Sequence, residues 1–183
     1  MRLKLKTAPS TEPITLDQAK LHLRVDTGDD NALISMLITT AREMAEKETK
    51  RAFITQIWQM TLDAAESEIE IPKPPLQGVE SITVIDEAGN ESVVDASHYD
   101  VDKAQNSYGR VRLKSGSTWP THRGFASFIV EFKAGYGDAA ADVPEALKQA
   151  VLQLIAHFYE NRESVEIPAG VKILLWAFKI LRI

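Results

Sequence analysis

The hydrophobic period of this chain changes twice, and that limits its fold more than any single motif does. Residues 16–50 repeat their apolar side chains at helical spacing, 52–136 read as short apolar or alternating runs, and 144–160 return to helical spacing. In the first stretch Thr15 and Gln18 have capping-box spacing and Pro13 lies just outside, so a short helix through Leu16, Ala19, Leu21 and Leu23 is expected. After the turn Asp26-Thr27-Gly28-Asp29-Asp30, Asp29 or Asp30 is expected to cap a longer helix reaching about Lys50. Its buried face is Leu33, Ile34, Leu37, Ile38, Ala41, Met44 and Ala45. Arg42, Glu43, Glu46, Lys47 and Lys50 fall mostly on the other faces, with Glu43 and Lys47 spaced as an i, i+4 ion pair.

The middle stretch predicts strands. The run from Ile54 to Leu62 is rich in β-formers, and Glu68-Ile69-Glu70-Ile71 alternates until Pro72. Val79 to Ile85 reads as a strand, 86–90 as a hairpin loop and Ser92-Val93-Val94 as the return. Tyr99-Asp100-Val101, Val111-Arg112-Leu113 and Phe128 to Phe132 complete the set, which indicates an antiparallel sheet or small barrel. Pro144 then suits the start of a helix carrying Ala146, Leu147, Ala150, Val151, Leu154, Ile155 and Phe158 on one broad face. The fold class expected is therefore α+β: a helical bundle from 1–51 and 137–183, interrupted by an antiparallel β insertion at 52–136.

Composition removes whole classes of function. With 183 residues the chain can bury a core unaided, and with no cysteine it has no disulfide, thiolate site or thiol nucleophile. The net charge of −5 gives no global footprint for nucleic acid. No run approaches the ~20 apolar residues of a membrane span. The opening MRLKLKTAPS alternates basic and apolar residues and reads as a small basic arm rather than a signal peptide, so synthesis in the cytoplasm is expected.

Few residues in the sequence are spaced for catalysis or ligand binding. His22, His98, His122 and His157 lie on different elements with no ligand spacing, so no metal site is expected. There is no nucleophile elbow, and Ser115-Gly116-Ser117-Thr118 reads as a loop. Glu66, Glu68 and Glu70 alternate as a solvated strand face, and Asp26, Asp29 and Asp30 lack the spacing of a calcium loop. Phosphate cradles are missing, so no cofactor is expected, and Gly135-Tyr136-Gly137 reads as a strand-to-helix connector. Arg2, Lys4 and Lys6, with Lys103, Arg110, Arg112, Lys114 and Arg123, concentrate what basic charge there is, which gives weak support for contact with phosphates.

The last thirteen residues are the most unusual. Only Lys172, Lys179 and Arg182 are polar in 171–183, and on a helix they share one narrow stripe. Such a segment either closes the protein's own core or docks on another protein, with binding to a membrane surface ranked third.

These residues also resemble a known family. EPITLDQAKLHLRVD (12–26) and DDNALISMLITTAREMAEKETKRA (29–52) are similar to the head-tail connector proteins of tailed bacteriophages, prophages and gene transfer agents. So are ITQIWQMTLD (54–63), PKPPLQGVESITVID (72–86), HYDVD (98–102), GRVRL (109–113), Trp119-Pro120 and FKAGYGDAAADVPEALKQAVLQLIAHFYENRE (132–163) with Ile167-Pro168. The resemblance implies a structural adaptor in the virion neck, not an enzyme. It implies a ring of copies, usually twelve, below the portal protein and joined on its far side to a stopper or tail-completion protein, with DNA passing through and no membrane involved. It places the portal-docking surface in the terminal segment, at Val171, Leu174, Leu175, Trp176, Phe178, Ile180 and Leu181. The competing reading is a small acidic enzyme or ligand-binding protein with its site in the β insertion.

Overall fold

The computed structural model describes residues 1–163 and 166–180. Its fold is α+β, and the chain divides into two compact units, one of strands (1–8 and 55–135) and one of helices (9–54 and 136–183).

The helical unit begins with α1 (Leu16–Leu23), where the capping box forms in full between Thr15 and Gln18. Helix α2 (Asn31–Thr49) buries Ile34, Leu37, Ile38, Ala41 and Ala45 as the periodicity predicts. Helix α3 (Glu145–Glu160) buries Leu147, Ala150, Val151, Leu154, Ile155 and Phe158. Helices α1 and α2 both pack on α3, and α4 (Ala169–Trp176) packs on α3 and α2. One apolar core results, which Ile14, Phe53, Ile54, Val143, Val171 and Leu175 complete.

Three local features of α2 differ from what spacing predicts. Asp30 occupies the N-cap position of α2 but makes no capping hydrogen bond; its carboxylate instead accepts one from the Tyr159 hydroxyl. Arg42 and Glu46 are both about 5% exposed rather than solvated, because they pair with each other and with Glu12. That arrangement draws Glu43 toward Arg42, at 3.8 Å, and not toward Lys47.

The strand unit holds two antiparallel sheets. The five-stranded sheet has the order β1 (Arg2–Thr7), β2 (Gln56–Leu62), β8 (Phe128–Ala134), β4 (Leu76–Ile85), β5 (Glu91–Val93). The three-stranded sheet has the order β3 (Glu68–Ile71), β7 (Gly109–Leu113), β6 (Tyr99–Asp102). The first eight residues thus belong with the strands: the alternation of the basic arm is that of an edge strand, in register with β2 from Arg2 opposite Thr61 to Leu5 opposite Trp58. Met60, Val130 and Ile82 form one fully buried row across the larger sheet. In the smaller sheet Ile69 pairs with Val111 on the buried face, and Glu68 pairs with Arg112 on the exposed one. The two sheets meet at Gly109, where a Cβ would lie 2.3 Å from Leu76 Cδ2, so only hydrogen fits there.

Candidate functional site

Pro168 precedes α4 and sets its start, since its ring cannot continue a helix from upstream. The helix stops at Trp176, shorter than the apolar run, where local i→i−3 turns and then a tertiary hydrogen bond take over. Phe178 N–H donates to Leu175 C=O and Lys179 N–H to Trp176 C=O, and Ile180 N–H then donates to Thr49 C=O at the end of α2. Arg51 Nε donates to Phe178 C=O at 2.6 Å, and Lys179 Nζ reaches Glu48 at 2.7 Å. These contacts fasten the terminal segment to the last turn of α2.

Within the segment, some residues face the core and others the surface. Val171 and Leu175 are at most 3% exposed and fill the core of the helical unit, and Ile180 is buried, at 5% exposed, with its N–H on Thr49 at the end of α2. Of the seven residues expected to dock, these three are buried in this fold. Leu174 and Phe178 are half-buried against the same core. Ile173 and Trp176, at 74% and 62% exposed, point outward and line a surface hollow with Lys172. Lys179 Nζ lies 5.6 Å from the Trp176 ring centroid, so a cation–π contact and the Glu48 ion pair steady that indole from one side. Leu181 lies outside the described residues.

A second apolar exposure escaped the periodicity. Leu21 is 82% exposed and borders a groove between α1 and α3 together with Gln18, His22, Glu145, Lys148 and Leu152. Its position relative to Leu16, Ala19 and Leu23, five residues on from the first of these, turns it away from their face, and that spacing is the signal that marks it.

The remaining candidates resolve into structural roles. Arg110 pairs with Asp102 and Glu68, Arg112 with Glu68, and Lys114 approaches Asp100 at 3.7 Å, so the exposed face of the smaller sheet is a lattice of mutually neutralised charges. Hydrogen bonds to Asp102 and the nearby carboxylates hold Arg110 even more firmly protonated than usual. The hollow over this lattice is lined by those same paired groups, which gives the ligand-site reading no unpaired chemistry to work with. Arg123 is turned onto the Ala126 carbonyl. His122 packs edge-on to Phe128 and His157 to Phe158. Among the described residues no three His, Asp or Glu side chains are grouped to hold a metal ion, and no helix is long and apolar enough to cross a membrane.

The model of the phage gp6-like head-tail connector family matches residues 13–110, more than half of the chain. The chain belongs to that family. No curated protein sequence matches it significantly. Among solved structures, the connector is similar over all of its length to a chain described in the neck of an empty gene transfer agent (GTA) particle computed with C6 symmetry, at 25% identity and TM-score 0.86, covering 97% of that chain. A chain in the virion of the native GTA particle matches at 25% identity and TM-score 0.85, with the same coverage of each chain. A third, in the neck of the native particle computed with C12 symmetry, matches at 24% and 0.84, again over 100% of the connector and 97% of that chain. The connector is a structural protein of the virion neck, and its family and structural neighbours are neck proteins rather than enzymes.

Proposed function

We propose that the connector forms a ring of twelve copies around the DNA exit channel, below the portal, and joins the portal to a stopper or tail-completion protein. The observation that carries this reading is its end-to-end likeness to chains of GTA necks described with sixfold and twelvefold symmetry, together with the family match. The charge distribution supports it: a chain of net charge −5 whose Arg110 and Arg112 are already paired lets DNA slide past without holding it. On this reading Ile173 and Trp176 are the portal-facing anchors, with the exposed parts of Leu174 and Phe178 beside them, while Val171, Leu175 and Ile180 hold the anchors in place. The test is to mix the purified chain with the portal ring encoded by the same genome and image the complex by cryo-electron microscopy. A ring of the connector on the exit side, with α4 at the contact, is the expected result. Folded connector that does not bind an intact portal would overturn the reading.

A further inference from the structure

The larger sheet has two free edges of opposite charge. Among the described residues β1 pairs only with β2, and β5 only with β4, so each leaves one row of backbone donors and acceptors without a strand partner there. On the β1 edge Arg2 and Lys4 are exposed and make no ion pair among the described residues, whereas Lys6 is engaged by Glu131. On the β5 edge Glu91 is exposed and likewise unpaired, Val93 is 70% exposed, and Glu87 stands beside them in the β4–β5 turn. Both edges carry these side chains on one face of the sheet. The register runs in a single row from Arg2 through Thr61, Ile129 and Thr83 to Val93, so Arg2 and Lys4 point to the same side as Val93 and Glu91.

From this geometry we infer that, in the assembled neck, the β1 edge of one copy docks on the β5 edge of the next, with Arg2 and Lys4 of the first facing Glu91 and Glu87 of the second. The four intervening pairings are all antiparallel, so β1 and β5 run in the same direction and meet head to tail when the sheet is continued into another copy. A two-fold contact of β1 with β1, or of β5 with β5, would instead set like charges opposite each other, which is unfavourable. Charge therefore selects the heterologous contact, the kind a closed ring requires. The inference rests on the ring reading proposed above.

The test uses the absence of cysteine from the chain. Leu5→Cys and Ser92→Cys place thiols on the two edges while leaving the charges intact. Within one copy the edges are four strand spacings apart, about 19 Å, so a cross-linker shorter than that joins only thiols of different copies. Connector carrying both substitutions is bound to its portal, the bound fraction isolated, and a short bis-maleimide added. The expected result is a ladder of linked chains, with each single variant remaining unlinked. Arg2→Glu with Lys4→Glu in that background should weaken the ladder at least tenfold, and adding Glu87→Lys with Glu91→Lys should restore it. Portal-bound double variant that gives no ladder, single variants that give dimers, or a ladder indifferent to the reversals would each overturn the inference and leave the ring reading standing. Wild-type connector that fails to bind the portal would remove the ring reading and this inference with it.

Discussion

Arg42 and Glu46 lie one turn apart on α2 and are buried together, with Arg42 Nη1 3.0 Å from Glu46 Oε2. Each also ties down a segment outside the helix. Arg42 Nε donates to Glu12 Oε2 at 2.7 Å, on the segment leading to α1, and Glu46 Oε1 accepts from the Phe53 N–H at 2.7 Å, on the segment leaving α2. Thr39 adds a hydroxyl to Glu12 at 2.9 Å. Burial works against the Arg42 charge, but the Glu12 hydrogen bond and the fields of Glu46, Glu12 and Glu43 outweigh it and raise the pKa above the usual arginine value. Arg42→Met removes the cation that pairs with Glu12 and with buried Glu46 and should destabilise the protein by about 3–5 kcal/mol. The shift in urea midpoint measures it, and a change under about 1 kcal/mol would mean that the network contributes little.

The terminal segment separates core from surface residue by residue. Leu175→Ala should cost about 2–5 kcal/mol of stability, because Leu175 is fully buried. Trp176→Asp should alter stability by no more than about 0.5 kcal/mol and weaken portal docking by more than about 2 kcal/mol. Calorimetry and a portal pull-down measure the two quantities separately. Docking unchanged by Trp176→Asp would remove that ring from the proposed contact. Deletion of 171–183 should unfold the helical unit, since it removes Val171 and Leu175 from the core.

Gly109 is set against Leu76. A methyl group there would meet Leu76 Cδ2 at 2.3 Å and Cβ at 2.9 Å, so Gly109→Ala should cost about 1–3 kcal/mol. Leu76→Ala clears Cδ2, and the double variant should lose less than the sum of the two single changes. A double-mutant cycle by urea unfolding checks this, and strict additivity would contradict the contact.

The β4–β5 turn should respond to acid. The Asp86 carboxylate accepts hydrogen bonds from the Asn90 side chain and backbone N–H, which favour its charged form and lower its pKa below the usual aspartate value. A carboxyl with a depressed folded pKa contributes stability above its unfolded pKa and loses it as pH falls through the folded value. The Asn90 amide should therefore lose its folded chemical shift at a pH below the usual aspartate midpoint. An Asp86 titration midpoint at or above the usual value would count against these hydrogen bonds.

Much of this architecture is local and can be read from the chain alone. The Thr15–Gln18 box, the apolar stripe of α2 from Ile34 to Ala45 and the alternation in β3 depend on neighbours within a few residues, so spacing reveals them. The motifs that resemble head-tail connectors are likewise a property of the sequence, and the family match agrees with them. Tertiary structure decided what depends on distant partners. Arg42 and Glu46 look solvated by helical spacing and are buried because Glu12 and Phe53 come to meet them. The basic cluster of Arg110 and Arg112 resembles a phosphate patch until β3 and β6 bring carboxylates beside it. The opening arm is a strand because β2 offers it an edge. Core and surface within 171–180 are separated by the Thr49, Arg51 and Glu48 contacts beyond the end of α4 at Trp176. Charge and burial are fixed by whichever groups stand opposite in space, and that is settled only when the chain has folded.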